Sequence, residues 1–228
     1  MSAPPPVARL RHRTTHRLIA TRYPSEGILD RVASPGDLDA VFELEAWTND
    51  RISTELGILL RVPRDEWVVG TPLASVVMAA FCHPRPGGAR FNSGERGAWY
   101  ASFTLETAHT EALYHRGREL ADVGITDARL EMREYLATFS GPFHDIRDED
   151  RREFRALHDP ASYEASQAFA RELFDGGSNG LIYRSVRKPG GICLACFRPK
   201  LVTEVRVGGH FEYRFAHGVP SVRRLPQP

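Results

Sequence analysis

Residues 83–97 are dense in Pro, Gly, Asn and Ser, and at their centre runs Gly87-Gly88-Ala89-Arg90-Phe91-Asn92-Ser93-Gly94. Such a stretch predicts a loop, and the double glycine lets the backbone turn tightly and come close to another surface. The segment after the loop narrows the fold further. Residues 98–103 read as a strand, Thr104 is an N-cap, and a helix runs from there to about 115–119. In a P-loop or a dinucleotide fingerprint the glycines lead into a helix. Here they lead into a strand, so neither fits.

The rest of the chain interleaves helices and strands early and turns to strands late. A strand is expected over 17–23, a helix over 35–57 capped by Ser34, and a buried helix over 72–82 with Pro72 in its first turn. Further elements are a strand over 128–139, a helix over 159–175 ended by Gly176-Gly177, and strands over 181–185, 192–197, 202–207 and 211–215. Gly208-Gly209 reads as a turn, and 147–155 as a solvated helix face. The expected class is α+β, a single domain with a mixed central β-sheet flanked by helices. Its divisions are a disordered tail over 1–14, a strand and helical extension packed on the core over 15–84, and the core over 85–228.

Three residues in this frame carry chemistry. Arg90 brings a fork of donors suited to phosphate or carboxylate. Tyr100 sits in a short strand beside Trp99, and the two point to opposite faces. Glu111 lies in the following helix, on the shoulder of a stripe of Ala108, His109 and Ala112, where small side chains leave room for a carboxylate to face a cleft. Taken alone, Arg90 also reads as a surface charge and Glu111 as a solvated helix-edge residue.

Gly88-Ala89-Arg90-Phe91-Asn92, then Trp99-Tyr100-Ala101, then Glu106-Thr107-Ala108-His109-Thr110-Glu111, resembles the RES domain family, in which many members are the toxin half of Xre–RES toxin–antitoxin pairs. A second segment, Gly180-Leu181-Ile182-Tyr183-Arg184-Ser185-Val186-Arg187 followed by Gly190-Gly191-Ile192-Cys193-Leu194, resembles the family's serine-bearing stretch. The resemblance covers about residues 85–200. Phe91 stands where tryptophan is commoner, and the loop after Asn92 lacks the usual proline.

The resemblance implies an ADP-ribosyltransferase-like fold and NAD as substrate, with release of nicotinamide by hydrolysis or phosphorolysis. Arg90 would orient the dinucleotide, Tyr100 would stack near the nicotinamide, and Glu111 would contact its ribose. Phe91, Asn92 and Ser185 would bind or buttress the substrate, and Arg22 would match an early arginine on the first strand. ADP-ribose transfer to a protein or nucleotide, and a non-catalytic binding module, stand as alternatives. An Xre-type helix-turn-helix antitoxin is the implied partner, and a homo-oligomer is left open.

Composition removes other classes. With 30 Lys+Arg against 29 Asp+Glu, the formal charge of +1 does not suit a dedicated nucleic-acid binder. A dinucleotide needs only one or two placed arginines, so it sets no such demand. No stretch is long and apolar enough for a membrane span, no secretory signal opens the chain, and three cysteines suit a bacterial cytoplasm. Cys193-Leu194-Ala195-Cys196 has redox or zinc spacing, but in a strand its thiols face opposite ways. No metal site is expected from the scattered histidines.

Overall fold

Strand β3 (Ala128–Asp145) runs for 18 residues and organises the molecule. The computed structural model describes residues 5–24, 26–32, 34, 36–38, 59–148 and 150–226. Around β3 lie β1 (Val7–Ala20), β2 (Trp99–Ser102), β4 (Gly180–Arg184), β5 (Ile192–Cys196), β6 (Thr203–Ala216) and β7 (Val219–Leu225). Their order is β1-β2-β5-β4-β3-β6-β7, and β1 also pairs with β3, so five strands close a ring from which β6 and β7 extend. The sheet is mixed: β3 and β4 are parallel and the other pairings antiparallel.

The ring is held unevenly. β1 and β3 pair from Val7↔His144 to Ala20↔Met132, whereas β1 meets β2 at the single register pair His16↔Ser102. Beyond that pair the two strands diverge. Inside the ring, Trp99, Tyr135, Phe139, Phe143 and Leu194 pack with Val77, Met78 and Phe81 of helix α1 (Ala74–Cys82). On the outer face of β2, β4 and β5, Phe91, Tyr183 and Ala195 pack with α4 (Glu164–Asp175). On the outer face of β1, β3 and β6, Met132, Phe211 and Tyr213 pack against α2 (Leu105–Asp122). Thr104 caps α2 as expected, its side chain accepting from the Thr107 N–H.

Several sequence expectations are corrected. Residues 7–14 are no disordered tail. Ala8 and Leu10 are partly buried against the core while Arg9 and Arg11 are exposed, so the alternating arginines are the outer face of β1. The register slips between Leu10 and Arg13, where His12 adopts φ 48°. Helix α1 belongs to the main core rather than to an appended extension. Gly208-Gly209 is no turn, because β6 runs through it. A Cβ on Gly208 would stand 2.4 Å from Glu134 Oε2, so the glycines make room for a buried carboxylate. Helix α4 starts at Glu164, since the Asp159 side chain accepts from the Ala161 N–H at 2.7 Å and holds a turn at Pro160. Among the described residues between 147 and 155, only α3 (Arg152–Arg155) is helical, and its Phe154 is buried. The helix expected over 35–57 lies mostly outside the described residues. Its cap shows where Ser34 Oγ accepts from the Asp37 N–H at 3.2 Å.

Candidate active site

The fork between β1 and β2 opens a cleft of about 250 Å³, walled by β1, β2, the glycine loop and α2. Arg90, Tyr100 and Glu111, three expected site residues, line it together with Ala108 and Ala112.

The glycine loop is shaped before it meets anything else. Gly88 has φ +70°, and a Cβ there would fall 2.1 Å from the Asn92 carbonyl oxygen. The Ala89 N–H donates to that oxygen at 2.9 Å. The Phe91 N–H donates to the Tyr100 hydroxyl, which donates to Asn92 Oδ1, both at 2.8 Å. Phe91 is buried and packs edge-on against Tyr183 with centroids 4.8 Å apart. Phe91 and Asn92 therefore stand behind the cleft and fix Tyr100 rather than line the cavity. Burial pushes the Tyr100 hydroxyl above its ordinary range, so it stays a neutral bridge.

Arg90 is buried, and its Nη1 donates to the carbonyls of Leu157 at 3.2 Å and Asp159 at 2.6 Å. Its guanidinium lies 4.8 Å from the Tyr163 ring centroid. The arginine thus ties the loop before α4 to the cleft wall while keeping its charge at the cavity.

Glu111 is held from across the molecule. Ser185 Oγ donates to Glu111 Oε1 at 2.5 Å and accepts from the N–H groups of Arg187 at 3.1 Å and Lys188 at 2.9 Å. His115 Nε2 lies 3.8 Å from Glu111 Oε2. Burial and then Arg85, Arg116, Arg187 and Arg118 push the His115 pKa down to about 4, so the imidazole is neutral at pH 7 and this contact is no ion pair there.

Arg22 is placed elsewhere. It follows β1, stacks on Tyr23 at 5.0 Å and does not line the cleft. The β1 arginine that does is Arg17. Its Nη1 donates to the Tyr100 carbonyl at 3.0 Å, its guanidinium sits 4.8 Å from the Trp99 ring, and its buried Nε has no partner among the described residues. Burial lowers its pKa to about 10, with Tyr100 opposing and Arg85 adding, so it remains charged at pH 7. Sequence reasoning also passed over Arg85, Arg116, Arg187 and Tyr163, which line the cleft, and Gln167, whose Nε2 donates to the carbonyls of Gly87 and Ala89 at 3.0 Å. Arg17 lies on the strand expected over 17–23, and Arg187 within the serine-bearing segment. Register and turn geometry separate them from neighbouring arginines, and neither can be read from composition.

Cys193 and Cys196 are buried on opposite faces of β5. Burial pushes both thiols up to about 12, so they are protonated at pH 7 and poor nucleophiles. Among the described lining residues, five arginines face one carboxylate, Glu111. A near-neutral chain has gathered a basic cleft around a single oriented acid, which suits an anionic ligand whose reacting centre develops positive charge.

An α+β ring of strands with a basic cleft at its fork is thus the class that fold and site define. The chain belongs to the RES domain family, which it matches over residues 58–216. Uncharacterized protein y4oC of Sinorhizobium fredii (strain NBRC 101917 / NGR234) is 27% identical over 198 residues, covering 87% of this chain and 81% of that protein. The crystal structure of the M. tuberculosis MbcT–MbcA toxin–antitoxin complex aligns at 13% identity with a TM-score of 0.42, over 56% of this chain and 73% of that one. No helix among the described residues is long and apolar enough to cross a membrane.

Proposed function

We propose that this protein cleaves the N-glycosidic bond of NAD and releases nicotinamide. The observation that carries the reading is the Glu111 carboxylate, held by Ser185 at 2.5 Å in a cleft whose other charged walls are arginines. Breaking that bond builds positive charge on the ribose, as in glycoside hydrolysis, and a carboxylate fixed near the ribose stabilises it as it develops. Arg17 and Arg90 receive the pyrophosphate and so position the scissile bond. The Tyr100 ring, anchored through its hydroxyl, offers the nicotinamide a flat face at small entropic cost. Nicotinamide is a competent leaving group, so no further electrophile is called on.

Incubation with NAD, followed by chromatography of the products, tests this reading. Nicotinamide release that disappears in folded Glu111→Ala supports it, and an intact NAD pool over the folded wild-type protein overturns it. Label from NAD appearing on a macromolecule would reassign the same residues to ADP-ribose transfer.

Family membership supports a second element of the proposal, a toxin role in the bacterial cytoplasm restrained by a small Xre-type antitoxin. Growth arrest on expression, relieved by co-expression of a helix-turn-helix protein encoded beside this chain, is the expected result, and growth unaffected by expression overturns it.

A further inference from the structure

The roles proposed for the cleft leave out His16 and Glu134, yet several features of the fold join these two residues. On β1 and β3 the register sets His16 opposite Leu136, with Glu134 two residues along the same face. His16 Nδ1 and Glu134 Oε1 are 2.6 Å apart, and Glu134 Oε2 accepts the Gly209 N–H at 2.7 Å. The carboxylate is buried, with both oxygens engaged. Gly208 and Gly209 leave it just enough room, since a Cβ on either would stand 2.4 Å and 3.3 Å from Oε2.

A carboxylate fixed at Nδ1 holds the imidazole proton on that nitrogen and leaves the lone pair on Nε2. Nε2 makes no hydrogen bond among the described residues, and the side chain is 24% exposed. His16 lines the same cleft as Glu111. A base oriented by a buried acid, with one ring nitrogen left unbonded on a side chain that lines the reaction cavity, is the arrangement that activates a weak nucleophile.

Resting on the NAD-cleaving reading, we propose that His16 is the base that deprotonates the water capturing ribose C1′, and that Glu134 positions it. The C1′–N bond breaks with its electron pair leaving on the nicotinamide ring nitrogen. A water oxygen bonds to C1′, and the proton it loses passes to His16 Nε2 and on to solvent. The products are ADP-ribose, nicotinamide and one proton, with no change of oxidation state. This assigns the acceptor as water, because a phosphate dianion attacks without shedding a proton and needs no base.

The test is nicotinamide release by His16→Ala and Glu134→Gln, with and without sodium azide, an anionic nucleophile that has no proton to lose. For His16→Ala, kcat falls about 100-fold while KM for NAD stays within about twofold. Azide then restores release and yields ADP-ribosyl azide. Glu134→Gln, which keeps the shape of the side chain, lowers kcat by about tenfold, is rescued in the same way, and guards against a His16 variant that does not fold. A folded His16→Ala protein working at the wild-type rate overturns the assignment, as does a loss that azide fails to restore. Wild-type protein that leaves NAD intact defeats the NAD reading itself and this inference with it. Wild-type cleavage alongside an unimpaired His16→Ala defeats this inference alone.

Discussion

Ser185 Oγ donates a 2.5 Å hydrogen bond to Glu111 Oε1 across 74 residues of chain. The serine is itself fixed by two backbone donors from its own turn, so it presents its proton to the carboxylate in one direction. Hydrogen bonds to charged groups contribute about 1.5–3 kcal/mol. Ser185→Ala is therefore expected to lower kcat for nicotinamide release about 10- to 100-fold with the fold kept, read by steady-state kinetics beside a thermal melt. Full activity in the variant would mean that the bond does not orient Glu111 for reaction.

Glu111→Gln keeps the side chain's shape and removes its charge. Loss of a group placed at developing charge costs about 10²–10³ in rate. We expect that loss in kcat, with NAD affinity by calorimetry kept within a few-fold, because the arginines supply the binding.

Arg17 and Arg22 give opposite expectations although only four residues lie between them. Arg17→Met should weaken NAD binding at least tenfold, since it removes a half-buried guanidinium from the cleft wall. Arg22→Ala should leave binding unchanged, because Arg22 stacks on Tyr23 and is not among the residues that line the cavity. Titration of both variants decides between them. Equal losses would refute the placement.

Acid should loosen the fold through His115. Its pKa in the folded state is pushed down to about 4 from an ordinary 6.5, chiefly by burial. The unfolded chain therefore takes up a proton below pH 6.5 that the native chain refuses, and stability falls as pH drops from about 6.5 toward 4. Denaturant midpoints measured across that window should fall less steeply in His115→Gln than in wild type. Parallel slopes would exclude His115 as a source.

Away from the cleft, Glu66 joins Arg96 at 2.6 Å and Arg198 at 2.7 Å, while both guanidinium groups lie over the Phe174 ring at 4.6 Å and 4.4 Å. Glu66→Gln leaves two largely buried cations facing each other without their shared acid. Breaking a buried pair by removing one partner costs about 3–5 kcal/mol. These groups keep some solvent, so about 2–3 kcal/mol by chemical denaturation is expected.

Much of the local structure could be read from the chain. The loop over 83–97, the Thr104 cap and the helix behind it follow from glycine's conformational freedom, side-chain capping and a 3.6-residue period, all of which act between near neighbours. Arg90, Tyr100 and Glu111 were legible for the same reason, since they lie within one loop–strand–helix unit. Alternation at 8–11 was equally local, but three prolines before it hid the strand.

What tertiary structure alone decided is which distant groups meet. Arg17 rather than Arg22 reaches the cleft because strand register, set by β3, fixes where each side chain points. Gly208-Gly209 looks like a turn until Glu134, 75 residues away from Gly209, fills the space above it. Ser185 and Glu111, or His16 and Glu134, carry no mutual signal along the chain, for strand pairing and side-chain packing bring them together only when the whole ring closes. Local propensity determined the pieces of this protein. Long-range burial determined the one place where its charges converge.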